Sequence, residues 1–131
     1  MQVLIGELGE LGRRAVACKH WRWMPGMMDL HGNRFLFSDG SGCWWISDGD
    51  IEAVIDEASD SDTPNLSDPA TLGCLLNLVR EAHTNELIST FNRAMMINDW
   101  CVVGEDHHGV HIYAENQVSE IEALVAALEA V

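Results

Sequence analysis

Two short turn signals do most to limit the folds open to this chain. Asp39-Gly40-Ser41-Gly42 separates the apolar segments Phe35–Phe37 and Cys43–Ile46, and Asp106 to Gly109 interrupts WCVVGEDHHGVHIYAEN. Turn residues between β-branched and aromatic runs mark hairpins, and a hairpin makes its two strands antiparallel. Helical patterns flank these hairpins without βαβ alternation. The expected class is therefore α+β, with antiparallel β hairpins packed against three to four helices. At 131 residues the chain is expected to form one domain over 1–131.

The helices are read from apolar spacing. Residues 2–19 place Leu4, Leu8, Leu11, Ala15 and Val16 on one helical face. Gly6, Gly9 and Gly12 each weaken that helix by about 1 kcal/mol relative to Ala, which suits a frayed start or close packing. The spacing of GELGELG does not fit a phosphate-binding GxGxxG loop. Residues 49–62 are read as a short helix on Ile51, Val54 and Ile55 that runs into a Ser/Asp-rich loop. The clearest helix starts in SDPATLGCLLNLVREAH, with Asp68 as N-cap, Pro69 in the first turn and Leu72, Leu75, Leu76 and Val79 as the buried face. A further helix is expected on Leu87, Ile88, Phe91 and Met95. In VSEIEALVAALEAV, Ser119 and Glu122 have capping-box spacing, and Ile121, Leu124, Val125 and Leu128 form one stripe.

The stretch HWRWMPGM, residues 20–27, has two readings. Pro25-Gly26 suits a type II turn, with glycine supplying positive φ. If the residues before it are extended, Trp21 and Trp23 share a face and Arg22 points the other way. Such a pair could stack a nucleotide ring or cage a cation. Tryptophan is highly buried on average, so a role in covering the core outweighs a ligand role.

Charge narrows function further. Twenty-one acids against seven bases leave a net charge of −14, with no Lys or Arg between Phe35 and Val79 or between Ala94 and Val131. Such a field repels nucleic acid and anionic membranes and attracts basic partners. The four cysteines, Cys18, Cys43, Cys74 and Cys101, form no CxxC pair and are read as reduced and buried. The N-terminus has no basic region followed by an apolar run, so no secretion signal is expected.

Site motifs are few. His107, His108 and His111 cluster in the second hairpin, and a zinc site would need a further ligand such as Cys101 or Glu105. Exposed turn histidines are the default reading. Asp48, Asp50 and Glu52 alternate as in an EF-hand, but Ala53 and Ser59 stand where that loop requires Gly and Glu. There is no GxSxG, Walker or kinase signature. A non-enzyme without cofactor or metal is expected.

Three blocks, WRWMPGM, LSDPATLGCLLNLVREA and EIEALVAALEAV, occur in that order. Together they resemble a family of small uncharacterised proteins encoded by tailed bacteriophages and prophages of proteobacteria. The resemblance implies a phage origin and residence in the host bacterial cytoplasm, and it carries no catalytic or binding residue across. It also implies a protein that redirects host machinery, as anti-restriction and anti-CRISPR proteins do by presenting carboxylates where a nuclease expects phosphates. The expected activity is therefore counter-defence binding of a host protein with a basic surface. The acids expected to carry it are Asp48, Asp50, Glu52, Asp56, Glu57, Asp60 and Asp62, with Glu105 and Asp106 in the second hairpin. Direct nucleic-acid or membrane binding is not expected, and homo-oligomerisation is left open. The alternative is a binder of nucleotide signals using Trp21, Arg22 and Trp23, with the guanidinium on a phosphate.

Overall fold

The protein is described by a computed structural model covering residues 5–40, 43–49, 52–55, 63–93 and 99–131. It is an α+β structure. In chain order the elements are α1 (Ile5–Val16), β1 (Arg34–Ser38), β2 (Trp44–Ser47), β3 (Glu52–Ile55), α2 (Pro69–Ala82), β4 (Ser89–Asn92), β5 (Trp100–Asp106), β6 (Gly109–Gln117) and α3 (Glu120–Glu129). The strands form two antiparallel three-stranded sheets, ordered β1-β2-β3 and β4-β5-β6. The chain divides into two compact units, Val3–Cys74 and one built from Leu75–Val131, with the division inside α2.

In the first unit, Leu8, Leu11 and Ala15 of α1 are buried, along with Met27, Phe35 and Leu66. Gly12 permits a close approach. A Cβ there would lie 2.6 Å from Thr63 Cγ2 and 3.0 Å from the Pro64 carbonyl oxygen. The expected type II turn is present: Met27 N–H donates to Met24 O at 3.1 Å, and Gly26 has φ +95°. The chain then runs beside β1, with Gly26 N–H donating to Phe35 O and Phe35 N–H to Met27 O, both at 2.7 Å. The loop between is organised by Asp29, a buried carboxylate. Its Oδ1 accepts the N–H groups of His31 and Asn33, both at 2.9 Å.

In the second unit, α3 lies across the β4-β5-β6 sheet. Its buried residues are Ile121, Ala123, Leu124, Val125, Ala127 and Leu128, which include the whole expected stripe. Ser119 Oγ accepts Glu122 N–H at 3.1 Å. Glu122 Oε2 answers by accepting Val118 N–H at 3.2 Å, one residue earlier than a standard capping box places it. Leu75, Leu78 and Val79 of α2, Ile88, Cys101 and Val102 are also buried in this unit.

Several expectations are corrected. Glu52–Ile55 is a strand paired with β2 rather than part of a helix. β-Branched Val54 and Ile55 suit a pleated surface, and Gly49 at φ +104° turns the chain back after β2. Ile51 and residues 56–62 of that expected helix lie outside the described residues. The helix expected on Leu87, Ile88, Phe91 and Met95 is instead the edge strand β4. Only Ile88 of that face is buried, while Leu87 and Phe91 are exposed and Met95 lies outside the described residues. On α2, Leu72 and Leu76 are half-buried, whereas Leu78 and Thr71 are buried. Three helices are present among the described residues. Of the four cysteines, all free thiols, only Cys101 is buried.

Candidate functional site

Residues 21–24 are not a strand, yet Trp21 and Trp23 do come together. Their rings meet edge to face, with centroids 5.6 Å apart. Trp23 stacks on buried Phe35 at 4.2 Å and 9°, and Phe35 touches Trp44 at 5.4 Å. One face of Trp23 is therefore committed to the core. The Trp21 indole N–H is buried with no hydrogen-bond partner among the described residues. Arg22 is exposed. Across the hairpin, Phe37 stacks on Trp45 at 4.6 Å, in register, after a bulge at Leu36.

The strongest polar arrangement was not anticipated. Asp68 caps α2 by accepting Thr71 N–H at 3.0 Å and Thr71 Oγ1–H at 2.8 Å. It also receives both terminal nitrogens of Arg34, at 3.1 and 3.0 Å. Arg34 Nη1 donates as well to Gly26 O at 2.6 Å. The Arg34 hydrogen bonds lower the Asp68 carboxyl to about 2, outweighing the opposing effect of burial, and the Arg34 guanidinium is raised in turn. Cap residues are visible in a sequence; a partner 34 residues away is not. Beside this pair, Met28, Gly32, Arg34, Leu36, Ser47, Asp48 and Gly49 line an open groove of about 210 Å³. That is below the usual range of roughly 300–1,000 Å³ for small-molecule sites.

Of the acids expected to meet a partner, Asp48 and Glu52 are exposed in the first unit, and Glu105 and Asp106 are exposed in the second. Asp50, Asp56, Glu57, Asp60 and Asp62 lie outside the described residues. Asp106 accepts His108 N–H at 2.7 Å and lies 3.0 Å from His111 Nε2. These contacts, the His108 amide first, lower its carboxyl. His107 and His108 form the two-residue loop and their rings touch at 3.9 Å. Among the described residues, no group of three His, Cys, Asp or Glu side chains is placed to hold a metal ion.

Several of the cations are paired within the fold. Arg34 is held by Asp68, and Arg80 Nε donates to Ile88 O at 2.9 Å. Arg93 bridges Asp99 at 2.8 Å and Glu115 at 3.2 Å. The Arg93 hydrogen bond lowers the Asp99 carboxyl. Among the described acids, Glu7, Glu10, Asp39, Asp48, Glu52, Glu81, Glu86, Glu105, Asp106, Glu115 and Glu129 are exposed. The thiols of Cys74 and Cys101 are both raised, chiefly by burial.

Comparison of the chain with protein-family models, with curated protein sequences and with solved structures finds no match. Among the described residues no helix is long and apolar enough to cross a membrane.

Proposed function

We propose that the protein is a small acidic accessory protein of phage origin that binds and inhibits a host protein with a basic, nucleic-acid-binding surface, in counter-defence of the anti-CRISPR or anti-restriction type. The observation that supports this reading is the segregation of charge. The chain carries −14, its bases are absent from residues 35–79 and 94–131, and eleven acids are exposed among the described residues. An acidic field of this size accelerates encounter with basic surfaces and repels nucleic acid itself. The phage resemblance supplies the setting.

The test is capture from a proteobacterial lysate on immobilised protein at about 50 and about 200 mM salt, a range over which surface charge attraction falls steeply. A second sample carries Asp48, Asp56, Asp60 and Asp62 as Asn, and Glu52 as Gln. The native chain is expected to retain a basic nucleic-acid-binding protein at low salt and release it at higher salt. The neutralised chain is expected to bind it more weakly, with a flatter salt dependence. Equal capture by both chains, or none by the native chain, refutes the reading.

A further inference from the structure

One face of the β1-β2-β3 sheet carries an exposed aromatic row. The register sets Phe37 opposite Trp45 and Trp45 opposite Val54, so the three side chains stand side by side on that face. Trp44 and Ile46 alternate with Trp45 onto the other face, where Ile46 lies opposite buried Phe35. The Phe37 and Trp45 rings are stacked at 4.6 Å and 11°. Phe37 and Val54 are each 52% exposed, and Trp45 is half-buried. Neighbouring apolar side chains left in water with a polar rim mark interaction surfaces, and aromatic residues are enriched at the centres of such surfaces.

The rim of this row is acidic. Glu52 lies two residues before Val54 on the same strand, hence on the same face, and it is exposed. Asp39 follows two residues after Phe37, and Asp48 follows Ser47; both are exposed. Residues 35–79 contain no Lys or Arg, and Arg34, opposite Ser47, is held by Asp68. Carboxylates beside exposed aromatic rings complement a guanidinium group. It is planar and weakly hydrated, so it stacks on a ring face while its N–H groups donate to a carboxylate. The ammonium of lysine is more strongly hydrated and gains less from the ring. A second copy would bring like charge against these acids, and an anionic nucleotide or lipid surface is repelled by them.

We propose that this face is the docking surface for an arginine-bearing segment of a basic protein, with a guanidinium stacked on the Phe37–Trp45 pair and the Glu52 carboxylate accepting from it. The proposal rests on the function given above and narrows its partner. The basic surface must present arginine, and the aromatic row gives the contact a preference that net charge alone does not.

The test is fluorescence anisotropy of a labelled short peptide of alternating arginine and glycine, and of its lysine counterpart. The full chain is titrated to about 1 mM, which covers weak binding. The arginine peptide is expected to bind about two- to fivefold more tightly than the lysine peptide, the range of an exposed cation–π contact. Phe37→Leu and Trp45→Leu keep apolar bulk and net charge. Each is expected to reduce that preference, and circular dichroism identifies any variant that fails to fold. Val110→Ala, on the other sheet, is expected to change nothing. Equal affinity for the two peptides overturns the inference. So does a preference that survives both ring substitutions, or no binding of either peptide. The proposed function is judged separately by the lysate capture. A basic protein held equally by the native chain and by Phe37→Leu leaves that function standing and removes the aromatic row from it.

Discussion

Replacing Asp68 by Asn separates two roles that one carboxylate performs. Asn accepts the Thr71 amide about as well as Asp, so the helix cap survives. What is lost is the charge against Arg34. The carboxyl lies at about 2 in the folded chain, against 3.8 for a free aspartate. A gap of roughly 1.8 units corresponds to about 2.4 kcal/mol at neutral pH. The Asp68 side chain is 12% exposed, but that of Arg34 is 34% exposed, so water screens part of the attraction. About 1–2 kcal/mol is the expected cost of Asp68→Asn. Asp68→Ala removes the cap as well and is expected to cost about 1 kcal/mol more. The sign with pH follows from a lowered carboxyl. The contribution is fully present above about pH 5, falls to roughly half near pH 3 and disappears below about pH 2. Urea titrations read by tryptophan emission suit this measurement, because Trp21, Trp23, Trp44 and Trp45 share a unit with Asp68 and only Trp100 lies in the other. Other carboxylates titrate in the same window, so the quantity to follow is the difference between native and Asp68→Asn chains. A cost below about 0.5 kcal/mol at pH 7, the range of an ordinary surface substitution, refutes the reasoning. So does a difference that stays constant from pH 6 to pH 3.

Three glycines should separate by what surrounds them. Gly12→Ala and Gly104→Ala are expected to lose about 1–3 kcal/mol each in thermal or urea melts, as overpacking does. A Cβ at Gly104 would lie 2.5 Å from Asn85 Nδ2 and 2.9 Å from Ile88 Cγ1. Gly73→Ala, in mid-helix with open space around it, is expected to gain about 0.5–1 kcal/mol. Ser119→Ala is expected to cost about 1 kcal/mol and to speed amide exchange in the first turn of α3.

The features that could be read in advance were those in which neighbours along the chain settle the conformation. Pro25-Gly26 makes its turn, Asp68 and Ser119 cap their helices, and the Asp39 and Asp106 turns each join antiparallel strands. The errors fell where a distant strand decides. Leu87-Ile88 and Phe91 are compatible with helical spacing, but β5 supplies ladder partners from Val103 to Trp100, and Ser89–Asn92 pairs with them. The second strand pair in each sheet was missed for the same reason. Of the candidate sites, the net charge was legible as composition, and the fate of the cations was not. That Arg34 is held by Asp68 and Arg93 by Asp99 depends on the folded path. That β6 is the last strand of its sheet among the described residues likewise follows only from the strand order. The Trp21–Trp23 contact was anticipated on a strand, whereas the segment is irregular and Trp23 is held by Phe35.

The two raised thiols differ in what their reaction rates report. Cys74 sits in the first unit, 3.8 Å from Pro25 O, and its ionisation is opposed by burial and by the charge of Asp68. Cys101 sits in the second, fully buried on β5. Only a thiolate attacks an alkylating reagent. Half-buried Cys74 is reached without an opening, whereas fully buried Cys101 reacts at a rate set by how often its surroundings open. In the unaltered chain the Cys101 alkylation rate would therefore report the local opening of the β4-β5-β6 sheet.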